Sequence, residues 1–212
     1  MPGSLFGADV DARFRSVRAS TIVADTITGL TRDQMPQEDF VGYPIPLSSV
    51  RVHDNMAALL PAAAADDDMG LVTGTPGTDD LTLQGVDFGA TSSDEKCAFQ
   101  WRLPIEYQAG QSVRLRVHAG ILTTVADGAL TLDVECWRSD GEGSVGSDLY
   151  AGSAADINDT TTADQDFTID AATLSPGDLL IFRLSFAGSD TGNAGVMIPL
   201  ITRIEPQVDI KG

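Results

Sequence analysis

At 212 residues the chain has the length of one β-sandwich domain, and a domain of this size buries roughly 70% of its unfolded surface, enough for a core without staples. Its formal charge of -18 is lopsided, with 25 Asp against 6 Glu and 11 Arg against 2 Lys. Such a surface repels polyphosphate and anionic lipid, which excludes a nucleic-acid partner and disfavours a membrane surface.

Residues 1–46 read as an extended N-terminal arm. The first 20 residues lack the apolar stretch of a secretory signal, so no targeting segment is expected. Residues 20–28 form a Thr-rich segment able to make one strand, and Pro36, Pro44 and Pro46 bar a regular helix and favour extended chain. The arm also carries Arg13, Arg15 and Arg18 within six positions. They are either solvated arginines or a cationic foot that docks an acidic protein onto an acidic partner.

From residue 47 onward the pattern predicts a single β-sandwich domain, 47–212. Residues 47–52 suit a strand with Val50 and Val52 on one face, and 56–65 suit one or two helical turns ended by Pro61 or the Asp66-Asp67-Asp68 run. That apolar run is too short to span a bilayer. Short strands are expected at 71–72, 81–83 and 86–88, between glycines. The strong signal begins at residue 97, where Cys97, Phe99, Trp101, Leu103, Ile105 and Tyr107 alternate with Gln100, Arg102 and Glu106. Most aromatics lie in such segments, so the core is expected from residue 97 onward.

Ala109-Gly110 then supplies a turn, and Val113, Leu115 and Val117 alternate with Arg114, Arg116 and His118, suggesting a hairpin. After Asp127-Gly128, residues Leu130, Leu132, Val134 and Cys136 alternate with Thr131, Asp133, Glu135 and Trp137. Residues 138–165 are loop-heavy, and Phe167 and Ile169 mark a short strand. The turn Ser175-Pro176-Gly177-Asp178 launches Leu180, Phe182, Leu184 and Phe186 on one face, and 196–204 buries Val196, Ile198, Leu200 and Ile204. Pro104 and Pro199 mark edge positions or bulges. Eight or nine strands, without βαβ alternation, mean an all-β sandwich or jelly roll.

Chemistry is sparse. Two histidines, His53 and His118, have turn and solvent-exposed settings, and no GxSxG elbow occurs, so no enzyme is expected. Cys97 and Cys136 each face inward, either as small apolar residues with free thiols or, on adjacent strands in an oxidising compartment, as a disulfide; the chain has no CxxC or Cys/His cluster, so no zinc site is expected. The runs 66–68, 79–80 and 156–166 carry oxygen ligands of the kind calcium takes but match no twelve-residue calcium loop, and solvated loops explain them as well. No cofactor or metal is assigned. Asp133 and Glu135 are expected to pair across strands with Arg114 and Arg116. Trp137 is the large aromatic on an outward face. Stacking on a sugar ring, filling a subunit interface and lying under the arm are all open to it.

The ordered set Tyr43-Pro44-Ile45-Pro46-Leu47, Leu59-Leu60-Pro61, Leu103-Pro104-Ile105-Glu106-Tyr107-Gln108-Ala109-Gly110, Val117-His118-Ala119-Gly120, Asp140-Gly141-Glu142-Gly143, Leu174-Ser175-Pro176-Gly177-Asp178 and the end Asp209-Ile210-Lys211-Gly212 resembles the small acidic jelly-roll proteins of environmental tailed phages. Members of that group act as capsid decoration, or cement, proteins. The resemblance spans about residues 40–212. It implies a homotrimer on the capsid exterior that binds the major capsid protein and bridges shell subunits, assembled in a bacterial cytoplasm; Arg13, Arg15 and Arg18 precede the matched span, and their docking role rests on the cationic-foot reading alone. Alternatives are a virion fibre head domain and a carbohydrate-binding β-sandwich module.

Overall fold

Alternating apolar residues build two antiparallel sheets that close on each other. The computed structural model describes residues 40–72, 78–89, 93–122, 128–190 and 196–209, all in one compact unit. These residues form ten strands: β1 (Phe40–Gly42), β2 (Gly70–Val72), β3 (Thr82–Gln84), β4 (Ser93–Arg102), β5 (Val113–Ile121), β6 (Gly128–Arg138), β7 (Ala155–Asp156), β8 (Ala163–Ile169), β9 (Leu179–Asp190) and β10 (Pro199–Asp209). The first sheet runs β2-β3-β10-β5-β8, with β1 on the far end of β10, and the second runs β4-β9-β6-β7. From β3 to β10, one sheet therefore orders 3-10-5-8 and the other 4-9-6-7. That is the double Greek key of a jelly roll.

The inward faces are those the alternation predicted on β5, β6 and β9. Val113, Leu115 and Val117, then Leu130, Leu132, Val134 and Cys136, then Leu180, Phe182, Leu184 and Phe186 are all at most 1% exposed. Phe182 stacks on Phe99 across the β4–β9 ladder, rings 5.0 Å apart and 12° from parallel. The core also reaches upstream of residue 97, since Leu47, Val50, Leu60, Met69, Leu83 and Phe88 are buried in it.

Several expectations are corrected. Residues 97–107 and 113–118 do not form a hairpin: β4 and β5 lie in opposite sheets, so the Ala109-Gly110 turn carries the chain across the sandwich. β4 ends at Arg102, just before Pro104, which cannot donate to a ladder, and Ile105 projects into solvent at 78% exposure. Residues 47–52 are not a strand. Leu47–Ser49 is one 3-10 turn, and Arg51 makes isolated bridges to Leu59 and Ala98. Residues 56–65 are turns rather than helix, because Arg51 and Asp68 hold them in extended pairing. Residues 86–88 are not a strand.

In β10 the register against β5 shifts between Ile201 and Arg203. Leu200 and Ile204 are buried as the sequence predicts, but upstream of the bulge Met197 and Ile201 also turn inside, Ile198 is only half-buried and Val196 is exposed. Pro199 opens the strand opposite Ile121.

Residues 40–45, assigned to the arm by sequence, lie along β10. Phe40, Val41 and Gly42 pair with Asp209, Val208 and Gln207, and the Tyr43 and Ile45 amides donate to Pro206 and Ile204 carbonyls at 2.8 and 2.9 Å. Pro206 returns no N–H on that side, so the added segment is held by fewer bonds than a full ladder would supply.

Candidate functional site

The outer face of the first sheet is a lattice of charge. Arg114, Arg116 and His118 alternate outward from β5, between Asp164 and Asp166 on β8 and Arg203, Glu205 and Gln207 on β10. Arg116 grips Asp166 with two bonds of 2.7 and 2.8 Å. Asp164 takes Arg203 at 2.8 Å and His118 Nδ1 at 2.7 Å. The hydrogen bond from Arg116 holds the Asp166 carboxyl below the usual range despite partial burial. At Asp164, burial pushes upward, but hydrogen bonds from His118 and Arg203 and the charges of Arg203 and Arg116 overcome it. Arg114 lies over the Phe40 ring at 3.8 Å, which fastens the added strand β1.

His118 is therefore not a free imidazole. Its Nδ1 faces the Asp164 carboxylate and its Nε2 lies 2.9 Å from the Thr162 hydroxyl, so both ring nitrogens are held within the lattice. The expected pairing of Asp133 and Glu135 with Arg114 and Arg116 is corrected as well, because β5 and β6 sit in different sheets. Glu135 instead pairs with Arg183 opposite it on β9, and Asp133 caps the neighbouring Val134 amide at 2.9 Å.

Trp137 lies where the alternation put it, half-buried on the outer face of the second sheet beside Ile181, its ladder partner. The Arg183 guanidinium stands 5.2 Å from the indole centroid while bonded to Glu135. An aromatic, an aliphatic and a restrained arginine thus share one patch. Arg13, Arg15 and Arg18 lie outside the described residues.

His53 is half-buried between two carboxylates, Nε2 3.4 Å from Asp67 and Nδ1 3.2 Å from Asp68. One donor atom from each falls within 4.8 Å of the others. The remaining acidic loops mostly make turns. Asp148, Asp156, Asp159 and Asp170 each accept the backbone N–H two residues on, at 2.8 to 3.0 Å. Glu is too long for this bond, which accounts for the Asp excess. A cleft of 460 Å³ beside β8 is lined by Leu149, Tyr150, Gly152, Asp166, Thr168 and Asp170. The Tyr150 ring meets Phe167 edge-on there, at 5.6 Å.

Both cysteines are free and fully buried, and desolvation pushes their thiols far up. They sit on β4 and β6 with β9 between them, which at about 4.8 Å per strand is too far for a disulfide.

Two buried acids escaped the sequence reading. Glu95, 1% exposed, accepts the Val86 amide at 2.8 Å through Oε2, its Oε1 has no partner, and desolvation raises its pKa from 4.5 to about 7. Asp190 is completely buried at the end of β9. The missed signal was parity, since Glu95 continues the inward face of Cys97 and Phe99, and Asp190 that of Phe186 and Gly188.

No family model matches the chain, and no curated protein matches it. Among solved structures, it is similar to the CBM22-1 xylan-binding domain of Paenibacillus barcinonensis Xyn10C at 10% identity and a TM-score of 0.38, over 84% of this chain and 91% of that one. The glycosylation-associated Gap123 complex of Streptococcus agalactiae aligns at 14% identity and a TM-score of 0.44, over 83% of this chain and 27% of that chain. A structure of infectious bursal disease virus, Gt strain, aligns at 11% identity and a TM-score of 0.31, over 66% of this chain and 38% of that one. Likenesses this distant carry no function to the chain.

Proposed function

We propose that the protein is a structural component of a tailed-phage virion, a decoration protein that binds the outside of the capsid lattice and bridges shell subunits. The observation that carries this reading is the Trp137 patch. Trp and Arg are the residue types that most often anchor protein interfaces, and here the arginine is pre-oriented by Glu135 against the indole. The body supports it: among the described residues Arg114, Arg116, Arg138, Arg183 and Arg203 are bound in internal ion pairs, leaving a rigid, acidic exterior. A ligand that binds only the assembled lattice stabilises it by mass action. In this reading the protein is a homotrimer, Arg13, Arg15 and Arg18 dock on the major capsid protein, and Trp137 lies in a subunit contact.

The test is quantitative mass spectrometry of gradient-purified virus particles, taking the ratio of this chain to the main shell protein. A ratio near one copy per shell subunit supports decoration. A few copies per particle indicate a fibre head, and absence defeats the virion reading. In a reconstituted particle, Trp137→Ala should reduce occupancy while leaving the free protein folded.

A second reading, a carbohydrate-binding module, is favoured by the cleft at Tyr150, whose 460 Å³ and mixture of one aromatic with Asp166, Thr168 and Asp170 suit a sugar unit. Binding to a glycan array that Tyr150→Ala abolishes would replace the virion reading with this one.

A further inference from the structure

β4 is the last strand of its sheet, and two upstream segments seal its outer edge. Arg51 exchanges backbone hydrogen bonds with Ala98 at 2.8 and 2.9 Å, while the Asp67 carbonyl accepts the Lys96 amide at 2.8 Å and the Met69 amide donates to the Lys96 carbonyl at 2.9 Å. Both segments are thus pinned to neighbouring positions of one strand, which brings the His53 ring beside Asp67 and Asp68. The imidazole is 11% exposed, Asp68 20% and Asp67 56%. Among the described residues these two carboxylates have His53 as their ion-pair contact and no arginine or lysine, whereas Asp164 and Asp166 are each held by arginine.

The two sides of the ring are not equivalent. Asp68 Oδ1 lies 3.2 Å from Nδ1, within reach of an N–H donated by the ring. A neutral imidazole has one N–H, so with Nδ1 as donor Nε2 turns a lone pair toward Asp67 Oδ2 at 3.4 Å, and two acceptors face each other. That separation is beyond the usual N–H···O range of about 2.7–3.2 Å, but it matches the spacing of about 3.4 Å between two ligands on a tetrahedral ion with bonds of about 2.0–2.1 Å. We propose that His53 Nε2 and the Asp67 carboxylate bind a divalent cation of the zinc class, with Asp68 as the positioning residue on Nδ1. Imidazole nitrogen suits zinc-like ions, whereas calcium and magnesium take oxygen ligands. A carboxylate on the far ring nitrogen fixes the tautomer that leaves Nε2 open to the metal. Water fills the remaining positions on the exposed side of Asp67, and the ion clamps the turn at residue 53 to the edge of β4, a role independent of what the outer faces bind.

The test is calorimetric titration of the full chain, stripped with chelator, with ZnCl2, and with CaCl2 and MgCl2 as controls, joined to 15N spectra of its two imidazoles. One saturable zinc step without a calcium or magnesium equivalent is expected, and zinc should move the His53 Nε2 resonance while Nδ1 stays protonated and His118 stays unchanged. His53→Gln should lose the step, Asp67→Asn should weaken it, and Asp68→Ala should weaken it about tenfold or more. Asp79→Asn, on an exposed acidic loop, should leave it intact. Asp67 is exposed, so Asp67→Asn gives a second reading if His53→Gln does not fold. Absence of a saturable zinc step, a step that His53→Gln retains in full, or a His53 ring that keeps protons on both nitrogens at saturating zinc would overturn the assignment.

Discussion

Glu95→Gln should change how the protein's stability depends on pH. Glu95 is 1% exposed, with one oxygen on the Val86 amide and the other without a partner, and burial raises its pKa from 4.5 to about 7. A raised carboxyl pKa means that the folded state holds the proton more tightly than the unfolded state. Stability from this group is therefore fully present below about pH 4.5 and is lost as pH rises toward 7, after which the loss is constant. The gap between 4.5 and about 7, at about 1.4 kcal/mol per pH unit, amounts to roughly 3 kcal/mol. Urea unfolding of both proteins across this range, plotted as the difference in free energy, isolates Glu95 from the other carboxylates. The difference should move in favour of Glu95→Gln by about 3 kcal/mol between those limits and then level. A flat difference would refute the claim that this carboxyl is desolvated in the fold.

Four further outcomes are expected. A double-mutant cycle on Arg116→Ala and Asp166→Ala should give a coupling of about 1 kcal/mol, small because both side chains are partly exposed, and high salt should shrink it. Phe182→Ala removes a ring stacked on Phe99 at 0% exposure and should cost about 3–5 kcal/mol in denaturant unfolding. Thiol labelling should leave Cys97 and Cys136 unmodified until the protein unfolds, and oxidation of the folded chain should form no internal disulfide; prompt native labelling would contradict their burial. Gly177→Ala should cost about 1 kcal/mol of thermal stability, because φ is +82° in the turn before β9 while the surrounding space is open.

The sequence by itself determined the fold class and the inward faces of β5, β6 and β9, because a period of two in side-chain direction is a local property of extended chain. It also placed Trp137 outward, and its Asp excess marked the loops whose backbone amides those carboxylates bind. Tertiary structure alone decided which strands pair. A hairpin of residues 97–107 with 113–118 and a crossover between sheets bury the same side chains, so alternation does not distinguish them; the choice of crossover sent Glu135 to Arg183 and Arg116 to Asp166. The β10 bulge had a similar effect on a smaller scale, since one extra residue brought Met197 and Ile201 inside and left Val196 exposed, while Leu200 and Ile204 stayed buried. Glu95 and Asp190 stand on apolar faces in the sequence, but at strand ends, where alternation alone does not assign burial. Only packing from the opposite sheet, and from the segment around Phe88, turned those ends into interior and buried two ordinary acids.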